Sequence, residues 1–264
     1  MKSQWNETQA AKIATDDLAA CAYATSLLNG EGHLLTHQGF CTVSVKTIAA
    51  DFFGRDLEVI NINRPDADFG KLESTDFDEL RLAESKMLAG FDSLTDLELA
   101  NQLRNQHTKQ TSSTPSVNAV LHASIPAKFV IQSHADPVIA LTNNLKGEAI
   151  IAEVYPDCLV LPFTAPRSQL SKQLNAALQK NEISKLKGII IHHLGLLTFA
   201  DSSRDAYENH CELVSRARDY IATKASEKIP FTANTSELTA GARPDLLQLA
   251  TIRKAVSTLS LIHI

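Results

Sequence analysis

Residues 187–201, KGIIIHHLGLLTFAD, decide how this chain folds. The run Gly188–His193 is a strand whose apolar, β-branched part is Ile189–Ile191, Gly195 interrupts it, and Leu196–Ala200 is a second short apolar run, so the sequence predicts two strands about a glycine turn. Asp201 or Ser202 then caps a long helix reaching about Ala225, with Ala206, Leu213, Val214, Ala217 and Ile221 at helical spacing. Strands on one side and an amphipathic helix on the other require a layered α/β core. Upstream, Lys128–Gln132 and Cys158–Pro162 are further short strands, with helices over 138–142, 146–154 and 168–179 between or beside them. Nearer the N-terminus the pattern gives one helix over Glu7–Leu28, strands at His33–His37, Cys41–Val45 and Leu57–Ile62, and two acidic surface helices, Asp76–Leu88 and Leu94–Arg104. Ser93 or Thr95 caps the second of these ahead of Glu98. A helix follows Pro115, and a last one lies near Asp245–Leu259.

Composition narrows the function. A formal net charge of −5 without a basic cluster excludes broad nucleic-acid binding, which needs a cationic face to displace counterions from phosphate. No apolar run approaches the roughly 20 residues of a membrane span, and the opening MKSQWNETQAAK lacks an apolar signal segment, which points to a soluble cytoplasmic protein. Cys21, Cys41, Cys158 and Cys211 form no CxxC pair, so reduced thiols are expected. No GxGxxG supports dinucleotide binding. Four histidines at strand ends, His37, His134, His192 and His193, invite a metal reading, yet adjacent strand residues face opposite ways and no HExxH helix is present.

Six stretches carry a resemblance: SVKT (44–47), NQLR (101–104), PSVNAVLHASIPAKFV (115–130), SHADPVIALTN (133–143), GIIIHHLGLLTFAD (188–201) and SRDAYENHCELVSRARDYI (203–221). In this order they resemble the class II aldolase/adducin family, closest to the aldolase half of bifunctional rhamnulose-phosphate aldolase/short-chain dehydrogenase proteins. The resemblance implies a three-layer α/β/α sandwich around a largely antiparallel sheet, spanning residues 1–229, with 230–264 a C-terminal segment. It implies zinc or another divalent ion, a ketose-phosphate substrate, and a homo-oligomer, by resemblance a tetramer, with sites at subunit interfaces.

Matched residue by residue, the family's catalytic glutamate falls on Asn118, its first metal histidine on Gln132, its second on His134, and its third on Leu194, with His193 on the preceding lysine. Gln38, Gly39 and Thr42 fall in its glycine-rich phosphate loop, where Phe40 and Cys41 replace glycines. Asn63 and Arg64 open its second anion loop, followed by Pro65 and Asp66. Tyr207 on the long helix is a candidate to reach the site. The expectation is a small sugar or sugar-phosphate ligand held without a metal cofactor, in a binding or regulatory role. The alternative is an active ketose-1-phosphate lyase with a rearranged site that uses a divalent ion.

Overall fold

The computed structural model describes residues 1–29, 41–91 and 94–225. The chain divides into two compact units, Met1–Lys224 and Ala225–Ile264. Beyond Ala225 the chain lies outside the described residues, as do the strand expected at His33–His37 and the helix expected near Asp245–Leu259.

Among the described residues seven strands form one sheet: β1 (Thr42–Ala50), β2 (Asp56–Asn63), β3 (Phe77–Arg81), β4 (Phe129–Ser133), β5 (Cys158–Leu161), β6 (Gly188–Ile191) and β7 (Gly195–Ala200). Their order is β3-β2-β1-β4-β7-β6-β5, with only β5 and β6 parallel. Helices cover both faces. α2 (Asp17–Asn29), α6 (Asp136–Thr142), α7 (Gly147–Val154) and α9 (Ser203–Ala225) pack on one, around Val43, Ile131, Ile190 and Leu196. α4 (Asp96–Arg104), α5 (Ala119–Ser124) and α8 (Arg167–Leu178) pack on the other, around Ile60, Val130, Ile189 and Leu197. The expected three-layer, largely antiparallel sandwich is the observed fold.

Three expectations change in detail. The N-terminal helix is two, α1 (Glu7–Ile13) and α2, and Asn6 caps the first by accepting from the Gln9 N–H at 3.0 Å. The acidic helix expected over 76–88 is a 3₁₀ turn, the edge strand β3, and a short helix α3 (Leu82–Met87). Phe77 and Leu80 sit three apart and mimic a helical period, but Asp78 and Leu80 are the buried pair, and pairing with β2 decides the outcome. Strand β6 stops at Ile191, so His192, His193 and Leu194 form the hairpin turn, with His193 in the left-handed region at φ 61°.

The alternation of β4 sends polar side chains to both faces. Phe129 and Ile131 join the α9 side and Val130 the α5/α8 side, so Gln132 points toward α5 and Ser133 toward α9. Each meets a wholly buried histidine, His122 and His210 respectively.

Candidate functional site

A cleft of about 750 Å³ lies where three segments converge: the loop after β2, residues 111–118 leading into α5, and the start of α8. Asn63 ends β2 just before Pro65, which has no N–H to continue the ladder. Its side chain accepts from the Val43 N–H at 2.7 Å and donates to the Arg64 carbonyl at 3.2 Å, which fixes the direction in which the chain leaves the sheet. Arg64 then turns into the cleft wall, donating to the Thr75 carbonyl at 2.9 Å and pairing with Asp76 at 3.1 Å.

On the opposite wall, Arg167 is the first residue of α8. Its N–H donates to Asp96 Oδ1 at 2.7 Å, so a carboxylate from α4 caps the helix. Its guanidinium Nε donates to Asn118 Oδ1 at 3.0 Å. Burial lowers the Arg167 pKa from its ordinary value and Asp96 opposes that, leaving a charged, half-desolvated cation in the cleft. Ser112, Ser113, Thr114 and Ser116 line the same space.

Of the residues singled out in the sequence, the cleft brings together Asn118 and Arg64; Asn63 stands behind it as a structural clamp. Gln132 and Thr42 are buried in a separate network. Thr42 donates to Gln132 Oε1 at 3.3 Å and so accepts from His122 Nε2–H at 2.9 Å, while the Ser44 hydroxyl donates to Nδ1 at 2.8 Å. Burial first, and Lys46 second, push the His122 pKa down to about 3, so the ring is neutral. His210 is also driven to about 3, by burial. Thr198 donates to the Ala206 carbonyl and accepts from His210 Nδ1–H, both at 2.9 Å, so Nε2 accepts from Ser133 at 2.6 Å.

Leu194 points into the apolar cluster with Leu161, Leu170 and Ile191, where burial contributes about 2 kcal/mol. His134 is half-buried in the turn between β4 and α6. Gly195 lets the hairpin approach that turn: a Cβ there would lie 2.2 Å from the Ser133 carbonyl oxygen, at φ 126°. His193 is bonded to Thr142 and Asn143, and with His192 it lines another cavity, beside Glu148 and Phe163. Tyr207 is buried and accepts from the Gln4 N–H at 3.0 Å. Gln38 and Gly39 lie outside the described residues.

These donors do not suit a divalent ion. The Asn118 amide oxygen is taken by a guanidinium, the Gln132 oxygen by Thr42 and His122, and Leu194 offers hydrocarbon. Among the described residues no three His, Cys, Asp or Glu side chains cluster closely enough to hold a metal, and no helix is long and apolar enough to cross a membrane.

Sequence reasoning missed Arg167, His122 and His210. Arg167 had a signal: a cation in the first turn opposes the helix dipole, and α8 has no acid there to offset it. The two histidines had none, because their partners lie up to 80 residues away.

Residues 20–221 match the family model described as Class II Aldolase and Adducin N-terminal domain. Over 232 residues, 88% of this chain, the sequence is 25% identical to the Bacillus subtilis (strain 168) protein named uncharacterized oxidoreductase YuxG, of whose length the match spans 33%. The N-terminal class II aldolase domain of a conserved protein from Thermoplasma acidophilum superposes with a TM-score of 0.74 at 31% identity, over 84% of this chain and 99% of that one. The L-fuculose-1-phosphate aldolase from Thermus thermophilus shares the fold at a TM-score of 0.51 and 14% identity, over 80% of this chain and 95% of that one.

Proposed function

The chain belongs to the class II aldolase and adducin N-terminal domain family, and on that premise we propose that its cleft binds a small sugar- or sugar-phosphate-like anion without metal-dependent cleavage of a carbon–carbon bond. The observation that carries this reading is the Arg167–Asn118 contact at 3.0 Å. Asn118 stands where the family's glutamate is expected, and a neutral amide neither ligates a divalent ion strongly nor takes up a proton as a base. Its neighbour supplies the positive charge instead.

Electrostatics sharpens the contrast. A divalent ion ligated by Asn118 would sit about 5 Å from the guanidinium, and at an effective dielectric of about 20 that repulsion is about 7 kcal/mol. An anion in the same place gains from Arg167 and from the hydroxyls of Ser112, Thr114 and Ser116. The role is therefore binding, and in a longer protein such a domain would report or position a ligand for a neighbour.

The test is a panel of ketose 1-phosphates, with and without added zinc, followed by an aldehyde-coupled assay alongside binding of inorganic phosphate. Phosphate binding without aldehyde release is expected. Zinc-stimulated aldehyde release would establish the lyase reading instead.

A further inference from the structure

A second cavity of about 250 Å³ adjoins the cleft, with Arg64 and Thr111 in the walls of both. Two titratable side chains face each other in it. His107 Nε2 and Asp78 Oδ1 are 4.0 Å apart, and the side chains are 8% and 4% exposed. The Nε2 atom is buried and makes no hydrogen bond among the described residues, a cost of about 1–3 kcal/mol for a polar atom left so. Asp78 is tied to the cleft by the Ser113 hydroxyl, which donates to Oδ2 at 2.9 Å and leaves Oδ1 facing the ring. Burial raises the Asp78 carboxyl above its ordinary range, opposed by Ser113 and by His107.

We propose that Asp78 and His107 form a subsite for an alcohol hydroxyl of the anion held in the cleft, so that the ligand is a hydroxycarboxylate or a hydroxyalkyl phosphate. This rests on the anion-binding reading of the cleft. The separation suits one oxygen about 2.8 Å from each atom, too close together for a larger bridging group. A hydroxyl donates to the ionised Asp78 Oδ1 while accepting from His107 Nε2–H, and with the carboxyl protonated instead it accepts from Oδ1–H and donates to the bare Nε2. Charge agrees with a neutral group: Lys109 pairs with Glu79 at 3.4 Å and Arg64 with Asp76 at 3.1 Å, so the remaining cavity wall carries little uncompensated charge. The reach from a cleft anion is short, since Ser113 lines the cleft and touches Asp78.

The experiment titrates the whole chain with matched pairs, glycerate against propionate and glycerol phosphate against propyl phosphate, by calorimetry and by the imidazole signals of His107. The pair that binds identifies the anion. We expect the hydroxylated member to bind at least tenfold tighter, with its His107 signal shifted, and the advantage to vanish in His107→Phe and Asp78→Asn while the deoxy member binds unchanged. Equal affinity within each pair, or an advantage that survives both substitutions, overturns the proposal. If none of the anions binds, the cleft reading fails, and glycerol titrated against His107 decides the subsite separately. A saturable shift absent in Asp78→Asn supports it, and an unmoved signal overturns it. Should either variant fail to fold, the wild-type preference and the His107 signal together still decide.

Discussion

Replacing Arg167 by glutamine removes one positive charge from the cleft while keeping an N–H₂ group able to reach Asn118. The backbone N–H that Asp96 caps at 2.7 Å is untouched, so folding stability should change by less than about 1 kcal/mol. The ligand loses a charge-assisted hydrogen bond from a half-buried guanidinium, about 1.5–3 kcal/mol. At about 1.4 kcal/mol per factor of ten, phosphate should bind about 10- to 100-fold more weakly. Calorimetric titration with inorganic phosphate at about 0.1 M salt measures this while screening distant charges. Arg55→Gln is the control, because it removes the same charge from the exposed β1–β2 hairpin, where Arg55 pairs with Asp51 at 2.6 Å. An Arg167→Gln affinity within twofold of the control would refute the assignment of the anion to this wall.

The two buried imidazoles make stability depend on pH. Both titrate near 3 in the folded protein and near 6.5 when unfolded, so the unfolded chain holds more protons between those values and stability is lost as the pH is lowered through that range. The slope approaches about 1.4 kcal/mol per ring per pH unit below the unfolded value, so urea denaturation should show a loss of about 3 kcal/mol between pH 6.5 and 5; a flat profile contradicts the neutral-histidine networks. Gly195→Ala forces a Cβ to 2.2 Å from the Ser133 carbonyl at φ 126° and should cost more than about 3 kcal/mol in denaturant midpoint measurements. A loss below about 1 kcal/mol would show that the turn relaxes around it. From the family premise we expect a homo-oligomer, a tetramer by resemblance, in light scattering at micromolar concentration, and a monomer would count against that part of the account.

The landmark stretch 187–201 was legible because its signals are local: an apolar run, a glycine, another apolar run and a helix cap. Ser202 does cap α9, accepting from the Asp205 N–H at 3.0 Å. The same locality misled at Asp76–Leu88, where helix-forming residues yield to an open sheet edge beside β2. It also misled at His192 and His193, which were expected on a strand and stand in its turn because Gly195 pairs with Ile191. The resemblance located Asn118 and Arg64, which the fold brings to one cleft from segments 54 positions apart in the chain. It could not supply what Asn118 touches, since Arg167 arrives from another helix 49 residues on. The Asp78 and His107 pair was equally hidden, because its acid lay in a stretch assigned to a solvated helix face and is 4% exposed.

One measurement bears most directly on the claim of metal-free anion binding. The metal content of the protein as isolated is determined by elemental analysis, and the protein is then dialysed against a chelator and titrated with phosphate before and after adding one equivalent of zinc. The account predicts far less than one metal per chain and one phosphate affinity throughout. Phosphate binding that appears only with stoichiometric zinc would contradict it.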